Sequence, residues 1–236
     1  MKRFFIFLAV VFPLCLSAQK KSSSKTVKPD VPSVHLTVFE QARLLGDVPT
    51  AISSLNYLIA SEPTKYGNYT DTLAYVYFNA GYYNQCNMLS SILLTKRSTD
   101  EGLMALKAAS LKQMNVTVDA AEMYSKLYSM TGAFGYGIEL MQLQLSLERL
   151  PECLSTAQLV SKDPKVKDEK ISLPKNDKEL QAVSINAFVK LIEGLVFSKQ
   201  KDNVKAKAAF EAALGLDPDF ALAQSNLEAL AKELGQ

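Results

Sequence analysis

The sequence predicts an all-α solenoid built from repeated helix–turn–helix units. Small residues recur about every 34 positions along much of the chain, and apolar residues follow them at helical spacing. The chain also ends in an amphipathic segment from Phe220 to Leu234. This segment suits a C-terminal capping helix, which a solenoid needs because its last repeat would otherwise expose an apolar face.

One small residue early in the second helix of each unit sets the register of the repeat. These register residues are 35, 34, 33 and 53 positions apart: Ala51, Cys86, Ala120, Cys153 and Ala206. Mostly apolar residues follow at offsets of four and seven, which places them on one helical face. Mostly apolar residues also precede each register residue by twelve and nine positions, and these mark an earlier helix. Turns between the two helices are predicted at Gly46-Asp47, Gly81-Tyr82, Asn115-Val116 and Asp202-Asn203.

This period and pattern resemble the tetratricopeptide repeat of bacterial exported proteins. The best match runs from Gly194 to Pro218, and its matching residues are Gly194, Phe197, Ala206, Phe210, Ala213 and Leu216-Asp217-Pro218. The third and fourth units are degenerate. Gln144 occupies an expected apolar site, and Leu143 or Leu145 beside it suggests a one-residue slip. The resemblance implies a right-handed superhelical solenoid of helix–turn–helix repeats.

The first 18 residues have the pattern of a secretory signal peptide. Lys2 and Arg3 precede an uncharged stretch from Phe4 to Ala18, and Leu16-Ser17-Ala18 suits a cleavage site. Fifteen residues are short for a membrane span, which needs about 20. We therefore expect a periplasmic protein that begins at Gln19, with no stable membrane insertion after cleavage. A signal retained as an anchor is the alternative.

The remaining chain divides by composition into four parts. Residues 19–33 form a Lys/Ser-rich segment predicted to be a disordered linker, and residues 34–160 hold four repeats. A charged insert or linker spans residues 161–180 and contains the 19 residues by which the last spacing exceeds one period. This excess falls in Ser161 to Glu179, where we expect a loop or an extended first helix. Residues 181–236 form the C-terminal repeat and the capping helix.

Composition argues against several classes of function. Loss of Lys2 and Arg3 lowers Lys+Arg from 26 to 24, which equals the 24 Asp+Glu, and so gives no basic footprint for nucleic acid. The one histidine, His35, belongs to no cluster with metal-ligand spacing. Gly132, Gly135 and Gly137 suit a turn between repeats rather than a phosphate loop. We therefore predict a non-enzyme with no catalytic residue, metal or cofactor, in which Cys86 and Cys153 are buried and unpaired.

The resemblance also implies a binding surface, because the first helices of successive repeats line a concave groove in this family. By register, that lining includes Arg43, Tyr75, Phe78, Asn79, Lys112 and Gln142. Aromatic side chains among amides and charges suit a protein or peptide of the cell envelope. This favours a scaffold or adaptor. A carbohydrate- or substrate-binding accessory subunit, with Tyr75 and Phe78 as stacking surfaces, is the alternative, and a solvated helix face without a partner also stays open.

Overall fold

The computed structural model of the chain describes residues 33–176 and 178–235, which form twelve helices and one β-hairpin. These residues belong to two compact units that divide between Asn115 and Val116. The segments predicted as signal peptide, residues 1–18, and as linker, up to residue 32, lie outside the described residues. Within the described ranges, no helix has the length and apolar character needed to cross a bilayer.

The first unit contains six helices: α1 Val34–Leu45, α2 Val48–Ser61, α3 Pro63–Tyr66, α4 Tyr69–Asn79, α5 Tyr83–Leu94 and α6 Glu101–Gln113. Helix α1 ends at Gly46, which takes the left-handed conformation (φ 70°) that glycine adopts without strain. Asp47 then caps α2 by accepting a hydrogen bond from the Thr50 amide at 3.2 Å. Phe39, Leu55 and Leu58 are buried in the core of this unit.

The second unit contains the remaining elements: α7 Thr117–Thr131, α8 Phe134–Ser146, α9 Leu150–Lys162, β1 Lys170–Pro174, β2 Leu180–Ser184, α10 Ile185–Lys199, α11 Asn203–Leu216 and α12 Ala221–Glu233. Gly132 ends α7 in the left-handed conformation (φ 66°), which confirms its prediction as a helix stop. The apolar faces of α8, α9, α10, α11 and α12 meet in one core around Met141, Val160, Phe188 and Phe210.

Burial confirms the predicted register of the repeats. Ala51 is almost fully buried, and Cys86, Ala120, Cys153 and Ala206 are completely buried. The one-residue slip expected near Gln144 is wrong. Gln144 itself is buried, with 8% of its surface exposed, and it stands at the position that Ala42 and Leu111 fill in other repeats. The fourth repeat therefore keeps its register and buries an amide where the first and third repeats bury Ala42 and Leu111.

The charged insert contains a β-hairpin, where the sequence pattern was interpreted as a loop or an extended helix. A short 3₁₀ turn, Pro164–Val166, leads into β1, which pairs antiparallel with β2 and sets Ile171 opposite Val183. Leu173 and Val183 are buried in the core of the second unit. Apolar and polar residues alternate in β1, where Ile171 and Leu173 share one face, whereas in β2 only Val183 is buried and Leu180 is 72% exposed.

The C-terminal helix α12 packs against α10 and α11, as expected of a cap. Ala223 and Leu230 are the buried residues of α12, and its N-cap residue Phe220 is buried as well. Leu234, just after the helix, is 44% exposed. The spacing of apolar residues predicts a stripe of Leu222, Leu227, Leu230 and Leu234. The first three belong to the core or pack against it, whereas Leu234 does not.

Candidate functional site

Tyr75 lies on the exposed side of α4, a helix that packs against α2, α5 and α6. Its side chain is 47% exposed, although the neighbouring Leu73 and Ala74 are buried. Two positions further on, the ring of Tyr77 lies edge-to-face against Tyr82, with 6.3 Å between ring centroids. The Tyr77 hydroxyl also accepts a hydrogen bond from Asn56 Nδ2 at 3.4 Å. Tyr75 and Tyr77 therefore point to different sides of α4.

Asp71 and Asn79 lie one helical turn on either side of Tyr75, and we call these three residues the Tyr75 face. Asn79 is exposed. Asp71 accepts hydrogen bonds from both terminal nitrogens of Arg97, one of them at 2.8 Å. Arg97 also forms an ion pair with Asp100, Nη1 to Oδ2 at 3.2 Å. Arg97 is thus fixed by Asp100 and in turn holds the Asp71 carboxylate at one end of the Tyr75 face. These hydrogen bonds to Asp71 raise the pKa of the Arg97 guanidinium.

Phe78 is half-buried and belongs partly to the packing of its own repeat. Its ring meets that of Tyr83, in the first turn of α5, at 5.6 Å between centroids and 62° between planes. This is an edge-to-face contact, which stabilises the pairing of the two helices. Phe78 therefore presents only part of its ring to a partner.

The other predicted site residues are spread along the first helices of their repeats. Arg43 is exposed in the last turn of α1 and pairs with Glu40, Nη2 to Oε2 at 2.9 Å. Lys112 is half-buried near the end of α6. Gln142 is half-buried on α8, in the second unit, and its Nε2 has no hydrogen-bond partner among the described residues. Five of the six residues thus belong to the first unit.

The two described cysteines and the described histidine are engaged in the packing of their units. Burial raises the pKa of both thiols, that of Cys153 to about 12, so both are protonated near neutral pH. Both are free. The half-buried His35 stacks on Tyr57, with ring centroids 5.3 Å apart. In residues 33–176 and 178–235, no group of three or more His, Cys, Asp or Glu side chains could hold a metal ion.

A second surface feature, which the sequence pattern did not indicate, is a groove between α7 and α9. Leu140 and Gln144 of α8 form its floor, and we call it the α7–α9 groove. Its charged end has a volume of about 490 Å³ and its less charged end about 480 Å³, and both ends share Gln144. Gln144 Oε1 is buried and has no hydrogen-bond partner among the described residues. In the sequence, the only indication of this groove is the amide of Gln144 at a repeat position where an apolar residue is expected.

Comparison with solved structures identifies the fold of the chain. No family model matches the chain, and no curated protein matches it in sequence. Solved structures do match. A tetratricopeptide repeat protein from Parabacteroides merdae is 12% identical over 85% of this chain and 72% of its own, with a TM-score of 0.65. YrrB, described as a tetratricopeptide protein with an unusual peptide-binding site, is 11% identical over 82% of this chain and 90% of its own, with a TM-score of 0.62. MamA is 11% identical over 78% and 91%, with a TM-score of 0.60.

This chain has the tetratricopeptide-repeat fold. Its first helices are α1, α4, α6, α8 and α10, and each precedes a second helix after a short turn. All six predicted binding residues lie on first helices. The α7–α9 groove lies instead between second helices of the third and fourth tetratricopeptide repeats, with a first helix as its floor.

Proposed function

We propose that this chain is an exported protein-binding scaffold or adaptor that docks a protein or peptide of the cell envelope through the Tyr75 face and catalyses no reaction. The observation that carries the proposal is the 47% exposure of Tyr75 in the middle of a helix in which Leu73 and Ala74 are buried. Nothing in the packing of the first unit needs this ring at the surface.

An exposed tyrosine in this setting suits an interface anchor. Aromatic residues supply much of the binding energy at protein interfaces, and polar groups around them form the rim. Here the ring stands between the carboxylate of Asp71, fixed by Arg97, and the amide of Asn79. A fixed rim group loses little side-chain entropy when a partner binds, which supports this face as a docking surface.

The wider surface contributes in a secondary way. Arg43 and Lys112 carry charge on the first helices of the neighbouring repeats. Such rim charges mainly change the rate at which a partner associates. Gln142 lies on a first helix of the second unit, and its contribution to binding is a separate part of the proposal.

The carbohydrate-binding alternative is not favoured. Sugar stacking would need two open ring faces at Tyr75 and Phe78, but the ring of Phe78 packs edge-to-face against Tyr83. YrrB is described by its peptide-binding site, which supports a peptide or protein as the kind of partner to test first.

Export is the part of the proposal that depends only on the sequence of residues 1–18. We expect the mature protein to begin at Gln19 in the periplasm. N-terminal mass spectrometry of the protein purified from a periplasmic fraction tests this. A product that retains Met1 and sediments with membranes would contradict cleavage.

Photo-crosslinking tests the docking surface directly. The photoreactive residue p-benzoylphenylalanine would replace Tyr75 in one protein and Tyr57 in a matched control, since Tyr57 is a 63% exposed tyrosine on α2. We expect a discrete crosslinked partner only at position 75. With that partner purified, Tyr75→Ala should weaken binding roughly 30-fold, because losing an interface aromatic costs about 2 kcal/mol or more. Tyr57→Ala should leave binding unchanged. Equal crosslinking at both positions, or an unchanged affinity of Tyr75→Ala, would contradict the proposal.

A further inference from the structure

We propose that the outer edge of β1 is a self-association surface, at which two copies of this chain pair their β1 strands antiparallel about Ser172. The two hairpins then form one four-stranded sheet. This surface lies within the second unit and is distinct from the Tyr75 face, so it goes beyond the proposed docking function.

The outer edge of β1 has main-chain groups without partners. The Ile185 amide donates to the Glu169 carbonyl at 3.1 Å, one position before β1 begins. Inward-pointing and outward-pointing residues alternate in an antiparallel pair, so Lys170, Ser172 and Pro174 direct their main-chain groups away from β2. In the described part of the chain, no hydrogen bond reaches these outward groups. Lys170 and Ser172 are exposed, so this edge can add another strand.

The opposite edge of the hairpin is used by the last repeat of the same chain. The Ser184 amide on β2 donates to Asp217 Oδ2 at 2.7 Å, and Gln181 Oε1 accepts a hydrogen bond from the Ala221 amide at 3.3 Å. Because β2 faces the connection between α11 and α12, the edge that is open to a second chain is that of β1.

The residues around Ser172 are self-complementary. The extended stretch runs from Glu169 to Lys175, because the Lys175 amide continues the ladder by donating to the Glu179 carbonyl at 2.8 Å. Ser172 is the midpoint of this stretch, so pairing about Ser172 sets every residue of it opposite a residue of the second copy. Glu169 then lies opposite Lys175 of the second copy at both ends, and opposite charges in such cross-strand pairs are favourable. A second copy of β1 therefore matches this edge in length and in charge.

The same register defines the hydrogen bonds between the copies. The two Ser172 residues exchange both of their main-chain hydrogen bonds, and each Lys170 amide donates to the Pro174 carbonyl of the other copy. Proline is tolerated at Pro174 because its missing N–H would point to the open edge and not to β2. Such a short edge buries little area, so we expect a reversible dimer with a dissociation constant of about 100 µM.

Sedimentation equilibrium of the full chain, at concentrations around this dissociation constant, measures the association. Ser172→Pro removes the central donor of the open edge without removing a hydrogen bond to β2, and it should weaken the dimer at least about 10-fold. Ala182→Pro is the matched control, because Ala182 is exposed, lies directly opposite Ser172 in the hairpin and points its amide to the other edge. It should dimerise as the wild type does.

A charge exchange tests the register without altering the main chain. Glu169→Lys and Lys175→Glu each set like charges opposite one another, and each should weaken the dimer about threefold or more. The double variant should restore it. Within one chain the two side chains are six strand positions apart, about 20 Å, so restoration can arise only between copies. Failure of the double variant to restore the dimer would contradict this register.

Cysteine crosslinking tests the position of the symmetry axis. Residues that exchange both hydrogen bonds have Cα atoms about 5.5 Å apart, which a disulfide can bridge. Ser172→Cys should therefore give a disulfide-linked dimer on mild oxidation, whereas Ala182→Cys should not. The native cysteines are buried and do not compete. Equal crosslinking of the two variants would overturn the proposal.

Two further results separate this surface from the Tyr75 face. Tyr75→Ala should dimerise as the wild type does, so failure of docking and failure of self-association are distinguishable. A wild-type chain that stays monomeric at every concentration overturns the proposal. If the NMR signals of the Lys170 and Ser172 amides then shift only when a partner crosslinked at position 75 is added, the edge serves another protein and the proposal fails.

Discussion

Gly194 in α10 lies directly against the ring of Phe210 in α11. A β-carbon on Gly194 would overlap ring atoms Cδ1 and Cε1 of Phe210. Phe210 is almost fully buried and cannot move aside within a packed core. The two helices of the last repeat can therefore approach closely because one contributes no side chain where the other contributes a ring.

This contact predicts that Gly194→Ala destabilises the protein, although alanine favours helix formation more than glycine does. We expect the free energy of unfolding to fall by about 1–3 kcal/mol, the usual cost of overpacking a core. Gly215→Ala is the matched control, because Gly215 is exposed in α11 and has open space around it. It should be neutral or stabilise by up to about 1 kcal/mol. Guanidinium denaturation measures both, and a stabilising effect of Gly194→Ala would show that the ring can shift.

Asp217 connects the inserted hairpin to the last repeat, which predicts a local effect of its removal. Its Oδ2 accepts a hydrogen bond from the Ser184 amide at 2.7 Å, and Ser184 Oγ in turn caps α10 by accepting from the Ala187 amide at 3.2 Å. Asp217→Ala leaves the Ser184 amide unpaired and should cost about 1–3 kcal/mol. Asp217→Asn keeps an acceptor and should cost less. Hydrogen exchange at the Ser184 amide should accelerate in Asp217→Ala, whereas in the exposed control Asp219→Ala it should not.

The cap helix α12 offers a comparison between two leucines of the same helix end. Leu230 is 5% exposed and belongs to the core of the second unit, whereas Leu234 is 44% exposed. Leu230→Ala should lower the free energy of unfolding by about 2–5 kcal/mol, and Leu234→Ala by less than about 1 kcal/mol. Deleting residues 220–236 should destabilise the whole last repeat. Similar thermal melting of the deletion and the wild type would mean that α12 is not a cap.

The buried thiol of Cys153 predicts a dependence of stability on alkaline pH. Burial raises its pKa from 9.0 to about 12, and its Sγ donates to the Met141 carbonyl at 3.4 Å. The folded state therefore holds this proton after the unfolded state has lost it. The resulting stability is fully present below pH 9 and is lost as the pH rises towards 12.

Cys153→Ala removes this contribution and leaves Cys86 and the tyrosines in place. Its free energy of unfolding should therefore fall less steeply than that of the wild type between pH 8 and pH 10.5. Urea denaturation at several pH values compares the two slopes. Parallel curves would mean that Cys153 titrates alike in the folded and unfolded states.

Much of the repeat architecture could be predicted because its signal is local and recurs. Small residues such as Ala120 and Cys153 mark where two helices pack closely, and a spacing near 34 residues repeats that requirement. The left-handed stops at Gly46 and Gly132 were equally readable, since glycine tolerates that conformation. These features depend on sequence neighbours and not on distant contacts.

The failures have a different origin. The sequence does not predict the hairpin, because its segment is rich in charges and only β1 alternates apolar with polar residues, although Leu173 and Val183 are both buried against distant helices. The sequence pattern predicts a one-residue slip of the register at Gln144, because an amide does not fit an apolar position. The helix nevertheless keeps its register and buries the amide. The α7–α9 groove could not be predicted, because it depends on side chains from three helices that meet only after folding.

Phe78 and Tyr75 should differ in what they contribute, although the sequence predicts both as groove residues. Phe78 packs edge-to-face on Tyr83, whereas the ring of Tyr75 is 47% exposed. Phe78→Ala should lower the free energy of unfolding by about 1–2 kcal/mol, from partial burial and the ring contact. Tyr75→Ala should change it by less than about 0.5 kcal/mol, as is usual for surface positions.

A double-mutant cycle of Phe78→Ala and Tyr83→Ala isolates the ring contact. We expect a coupling energy of about 0.5–1.5 kcal/mol, the range measured for aromatic pairs. Additive effects would mean that the two rings do not interact in solution, and Phe78 would then be free to serve a partner as Tyr75 does. If the coupling is present, a loss of binding in Phe78→Ala reports disturbed packing of α4 on α5, and only Tyr75→Ala measures the docking surface itself.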